Sequence, residues 1–153
     1  MKQLESWYFE DFEAGQVFRT RSRTITEADV VQFAAWSWDT NPVHTDVRAA
    51  SQGRFGQPIA HGLLGMSIAM GLASGLGVFE DCSIALLGVE GWRFLHPLYI
   101  GDTVQCEVRI TGTRASTTSP SGVLDRTFRL ISHDGRVLQS GSIGLMVRRR
   151  PAG

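Results

Sequence analysis

The sequence predicts an α+β fold in which an antiparallel sheet wraps one long apolar helix. Three observations carry this. A short alternating stretch and a capped helical stretch open the chain. An apolar run punctuated by glycines follows, from His61 to Leu76. After Gly77 the pattern changes to four long strand-like stretches, the last two joined by an Asp-Gly turn. One strand, then helices, then a run of strands is the order of an α+β domain. At 153 residues the chain reads as a single domain over 1–153, long enough to bury a core.

The elements follow in order. Trp7 to Phe12 is aromatic and acidic and reads as an edge segment leading into a turn. Gln16 to Ile25 alternates and predicts a strand with a polar face. Thr26 is a good N-cap with Asp29 three residues on, and Ala28, Val31, Phe33, Ala34 and Ala35 give the helix behind it an apolar face up to about Trp36. Pro42 ends that helix, and Asn41, pushed toward extended geometry by the proline, starts a turn. Asp46 is positioned to cap a short helix to Ser51. Residues 52 to 58 are a loop by composition.

From His61 the run is hydrophobic all round, which predicts a helix buried by the sheet. Four glycines inside it cost roughly 1 kcal/mol each relative to alanine, acceptable where another backbone comes close. Ser83–Leu95, Asp102–Thr113, Gly122–Ser132 and Val137–Val147 are the strands. Thr113 to Gly122, rich in Ser, Thr and Pro, is expected to be a mobile loop. Asp134-Gly135 supports the positive φ of a hairpin turn.

Composition excludes several functions. Fifteen basic residues balance fifteen acidic ones, so nothing points to nucleic acid. The two cysteines, Cys82 and Cys106, have no metal-ligand spacing and read as buried thiols of a reducing compartment. Met1 to Ser6 holds no apolar signal core, and no run reaches the length of a membrane span. A cytoplasmic protein without membrane contact is expected. No phosphate-cradling glycine signature is present, and no metal or cofactor is expected.

The stretch with chemistry is Ser37-Trp38-Asp39-Thr40-Asn41-Pro42-Val43-His44. It holds a carboxylate, an amide and an imidazole within six residues, on a segment that the proline bends. Asp39 and His44 sharing one water can divide general base and general acid duties, the chemistry of adding water to an activated double bond. Which of the two is the base is open, and Asn41 either orients the pair or closes the turn. Gly62 stands where a helix N-terminus presents free N–H groups. A substrate oxygen held there gains the negative-charge stabilisation that adding water to an activated double bond needs; the competing role for Gly62 is close packing. His61 is a second supporting group or a helix cap.

Asp-x-Asn-Pro-Val-His resembles the hydratase motif of the MaoC-like, (R)-specific enoyl-CoA hydratases, with Asp39, Asn41, Pro42 and His44 matching. Seventeen residues past His44, Ala60-His61-Gly62-Leu63-Leu64 resembles the opening of that family's central helix. The resemblance covers nearly the whole chain. It implies the hot-dog fold, a homodimer joined through sheet edges, and reversible hydration of a 2-enoyl-CoA to a 3-hydroxyacyl-CoA, with coenzyme A as part of the substrate. Asp39, His44, Asn41 and Gly62 are the site residues it implies. The family commonly has a glycine before the aspartate, where this chain has Trp38. That ring is expected to face the pocket and restrict acyl length; the alternative is core packing. Trp36 and Phe79 are further candidates for an acyl pocket. Arg148-Arg149-Arg150 is expected to be a solvated tail, with contact to coenzyme A phosphates as the alternative, and Arg93 is a loose second candidate for such contact. Two rival functions stand beside the hydratase: a thioesterase of the same fold, whose motif differs, and a non-catalytic acyl-CoA-binding subunit.

Overall fold

A computed structural model describes residues 6–151, so Met1 to Glu5, the bulk of the segment examined for a signal, lie outside the described residues. Six strands form one antiparallel sheet: β1 (Val17–Arg19), β2 (Arg23–Thr24), β3 (Ser83–Phe94), β4 (Thr103–Ala115), β5 (Ser121–Ser132) and β6 (Val137–Arg148). Their order is β1-β4-β5-β6-β3, with β2 also on β4. The helices are α1 (Glu27–Ser37), α2 (Pro42–Thr45), α3 (Val47–Gln52) and α4 (Gly62–Ser74). The sheet curls around α4, which is the hot-dog arrangement.

Strand alternation builds the core. Val104, Cys106, Val108 and Ile110 of β4 face inward with Leu124, Phe128 and Leu130 of β5 and Ile143, Leu145 and Val147 of β6. They meet Leu64, Ile68, Ala69, Leu72 and Ala73 of α4. Each large side chain so buried contributes about 1.5–3 kcal/mol. Both cysteines are free and buried, and burial pushes the Cys106 thiol up to about 12. They are inert at neutral pH.

Several expectations are corrected. The Trp7 to Phe12 segment, expected at an edge, lies over the central strand β5: Phe9–Asp11 form a single 3-10 turn, and Phe9 lies over Gly122, where a Cβ would come within 2.2 Å of its ring. The strand expected over 16–25 is two pieces, because Thr20 turns its hydroxyl onto the Cys106 N–H at 2.9 Å and interrupts the ladder. The loop expected over 113–122 is shorter, Ser116 to Pro120, because β4 runs to Ala115 and β5 starts at Ser121; it is tied down by Ser116 Oγ, which accepts from the N–H groups of Thr118 and Ser119 at 3.2 Å. Helix α4 is not enclosed on every side: Leu63, Ser67, Gly71 and Ser74 form an open stripe. Two of its glycines make way for side chains and not for another strand's backbone, Gly62 for the Phe94 ring and Gly65 for Gln139, while Gly71 faces open space. The capped helices and the turn behind His133, with Gly135 at φ 85°, stand as expected.

The edge strand β3 is exposed along almost its whole length, with Ile84, Leu86, Leu87, Val89 and Phe94 all open. Among the described residues no helix is long and apolar enough to cross a membrane.

Candidate active site

The bend after α1 positions the acidic group. Ser37 Oγ donates to the Phe33 carbonyl at 2.6 Å and accepts the Asp39 N–H at 3.2 Å. Between them Trp38 leaves the helix in the left-handed region, φ 63°, the only non-glycine residue described with positive φ. Its ring points to solvent, 88% exposed, and lines no part of the cavity. Neither expected role for Trp38 holds. A glycine is the usual occupant of such a helix-ending position because it has no Cβ to clash. Trp38→Gly is therefore expected to raise stability by about 1 kcal/mol, and thermal melting checks this as a rise of about 2–4 °C.

Asn41 caps the next turn. Its Oδ1 accepts the Val43 N–H at 3.1 Å, and Pro42 sits at the first helical position, where it costs no hydrogen bond. Asn41 is exposed and outside the cavity lining, so it serves by closing the turn that carries His44.

His44 is held through one nitrogen. The Ile59 carbonyl lies 2.7 Å from Nδ1, so Nδ1 carries the proton and donates. In the neutral ring this leaves the Nε2 lone pair free, and Nε2 faces Asp39 Oδ2 at 4.0 Å. That gap is too long for a direct hydrogen bond and suits a shared water. Asp39 is 53% exposed at its side chain and His44 11%, so a substrate reaches the carboxylate from solvent.

His61 locks the two together. It stands at the N-cap position of α4 but makes no side-chain cap bond, so the helix-cap reading is corrected. The Asp39 carbonyl lies 2.9 Å from its Nε2, which therefore donates, and its ring stacks on His44 with centroids 3.8 Å apart. Among the described residues its buried Nδ1 has no hydrogen-bond partner. Asp39, His44 and His61 also lie close enough to suggest a metal triad. Imidazole lone pairs lie in the ring plane, and two rings stacked at 26° send them side by side and not to one ion. The arrangement fits proton transfer better.

These groups open into a cavity of about 810 Å³. Its walls include Phe33, Phe55, Phe94 and Leu95, with Gly62 at the head of α4. The first intrahelical bond runs from the Gly65 N–H to the His61 carbonyl at 3.2 Å, leaving the N–H of Gly62 without a helical acceptor. Gly62 also packs closely, since a Cβ there would lie 2.8 Å from Phe94, so both readings of that glycine meet at one residue. Its carbonyl accepts from Gln139 Nε2 at 3.1 Å, and Gln139 Oε1 accepts from the Trp92 indole at 3.2 Å. Gln139 is 2% exposed and ties the sheet to the head of α4.

Other expectations fail here. Phe79 is core, stacked on Phe12, and Trp36 is exposed, so neither lines the cavity. Arg93 is exposed and outside it; the arginine at its wall is Arg54. The terminal arginines are neither a free tail nor turned to the site: Arg149 pairs with Glu10 at 2.9 Å and Arg150 with Asp11 at 2.7 Å.

Comparison with known proteins bears on the family and the fold. The family model for the MaoC like domain matches residues 11–134. Protein MaoC of Klebsiella aerogenes is 42% identical over 107 residues, 70% of this chain but 31% of that protein, so the chain spans about a third of it. The (R)-specific enoyl-CoA hydratase of Aeromonas caviae is 33% identical over 132 residues, 86% of this chain and 92% of that enzyme. Among solved structures, a monoamine oxidase regulatory protein from Archaeoglobus fulgius superposes with TM-score 0.89 at 31% identity, covering 95% of this chain and 97% of that one. A Mycobacterium tuberculosis protein with a double hotdog fold gives TM-score 0.82 at 19% identity over 99% of this chain and 47% of that one, a likeness of fold alone.

Proposed function

Because the chain belongs to the MaoC-like domain family, we propose that it is an enoyl-CoA hydratase, reversibly hydrating a 2-enoyl-CoA to a 3-hydroxyacyl-CoA. The observation that carries this is the 4.0 Å gap between His44 Nε2 and Asp39 Oδ2 at the wall of an apolar cavity. A water in that gap donates one hydrogen to each group. As its oxygen bonds to the β-carbon, Nε2 takes a proton and the π-electrons move onto the α-carbon and the thioester oxygen. The Gly62 N–H stabilises that oxygen. The imidazolium then returns the proton to the α-carbon, so the residues end as they began. The base role is given to His44 because a Nδ1–H donating to the Ile59 carbonyl leaves Nε2 as acceptor, which supports Asp39 as the group that orients the water. No metal and no cofactor besides the coenzyme A of the substrate enters this scheme.

The test is a panel of 2-enoyl-CoA thioesters followed by loss of double-bond absorbance and by thiol release together. Hydration without thiol release is the expected result, since the water is aimed at the β-carbon. Thiol release keeping pace with loss of the double bond would replace this reading with a thioesterase.

The working form is a homodimer joined along β3. An open edge of twelve residues bearing Ile84, Leu86, Leu87 and Val89 is a template for pairing with a second copy. Light scattering should give twice the 16.8 kDa chain mass. Leu87→Lys, which places a charge in the middle of that edge, is expected to shift the protein toward monomer.

A further inference from the structure

Arg126 lies in the core. It is 2% exposed and occupies an inward position of β5 between Leu124 and Phe128. Among the described residues its one hydrogen bond is from Nε to the Ile143 carbonyl at 3.2 Å, and Nη2 has no partner. Among the described residues no carboxylate pairs with it; its charge rests against the faces of Phe79 and Phe128, at 4.9 and 5.0 Å. Burial lowers its pKa to about 10, so it stays cationic at neutral pH. A buried guanidinium without a counter-ion is costly to keep, and an anion reaching it would be bound strongly.

The side chain borders a cavity of about 380 Å³ at the end of α4 remote from Gly62. Met70, Ala73, Leu86 and Leu145 give this cavity apolar walls, and Ser74 and Glu80 line it as well. We infer that the Arg126 cavity is a binding site for a carboxylate carried on an apolar stem. Two sources fit that chemistry: a free carboxylic acid, or the far end of an acyl group whose thioester sits at Asp39 and His44. The second rests on the proposed hydratase and its dimer. The start of β3 lines the Arg126 cavity and its end, at Phe94, lines the catalytic cavity. Antiparallel pairing of two such strands sets the start of one against the end of the other. The Arg126 cavity of one copy thereby faces the catalytic cavity of the other.

Two measurements on the full chain decide the matter, using Arg126→Met, which keeps the volume, and Ser74→Trp, which fills the cavity from an exposed position should the first variant fail to fold. Hexanoate is expected to raise the melting temperature of the wild type in a concentration-dependent way and to leave both variants unchanged. For 2-enoyl-CoA substrates of increasing length, with and without a terminal carboxylate, the wild type is expected to prefer the carboxylated member at one length. Arg126→Met is expected to lower that preference about ten- to a hundredfold. A hexanoate effect without the kinetic preference assigns the site to a free acid; the preference assigns it to the substrate. Equal melting shifts in wild type and variants, or no shift together with no preference, would overturn the inference. Failure of the wild type to hydrate any thioester removes the hydratase reading alone, because the melting measurement needs no turnover.

Discussion

Asp39→Asn and His44→Ala are each expected to lower hydration by about 10²–10⁴-fold while the fold persists. Asp39→Asn keeps an oxygen for the Asn41 N–H, which Asp39 Oδ1 accepts at 3.3 Å, but loses the charge that orients the water. His44→Ala removes the Nε2 acceptor and the stack on His61. Both residues sit on a bend held by the Ser37 and Asn41 side chains, Asp39 exposed and His44 half-buried, and neither belongs to the apolar core. Turnover by stopped absorbance assay and melting by circular dichroism separate the two effects. Folded variants with near wild-type turnover would remove these residues from the mechanism. The double variant should be little worse than the worse single one, because two groups acting on one water do not add.

Gly65→Ala is expected to cost about 2–3 kcal/mol, within the range of overpacked cores, and to depress turnover as well. A Cβ at this position would stand 2.2 Å from Gln139 Nε2 and 2.9 Å from its Cδ. Gln139 must then leave its place, which breaks its bonds to the Gly62 carbonyl and to the Trp92 indole. The head of α4 loses its tie to the sheet, and with it the fixed direction of the Gly62 N–H. Melting should fall by about 5–10 °C, with a larger loss in kcat than in KM. A variant of unchanged stability and turnover would show that Gln139 moves aside without consequence.

Much of this arrangement was legible in the chain, for physical reasons that differ from residue to residue. Pro42 cannot continue a helix and Asn41 is a natural cap, so the bend carrying His44 could be read directly. The alternation in β4 fixed its inward face as Val104, Cys106, Val108 and Ile110. Trp38 was misread because its side chain drew attention while its backbone decided the matter: the αL position ends α1 and turns the ring outward. Gln139 and Arg126 were overlooked although a signal existed. Each falls in the apolar phase of a strand, Gln139 two pairs before Ile143 and Arg126 between Leu124 and Phe128. A polar residue in that phase is either paired or functional. The length of Ser83–Leu95 hinted at an open edge needing a partner, but the open stripe of α4 was beyond reach, because a run that is apolar all round does not say which side the sheet leaves uncovered.

The sheet order has a bearing on how the chain is made. Strand β3 is complete at Phe94, yet its partner in the ladder is β6, from Val137 onward. Some forty residues must be synthesised before β3 finds the strand it pairs with. At ordinary translation rates that interval is several seconds. During it the apolar strand β3 stays unpaired on the nascent polypeptide, although β4 and β5 are already available to α4. Chaperone demand should therefore peak late in synthesis, and fragments ending between β5 and β6 should aggregate rather than fold, even though they already contain Asp39, His44 and His61.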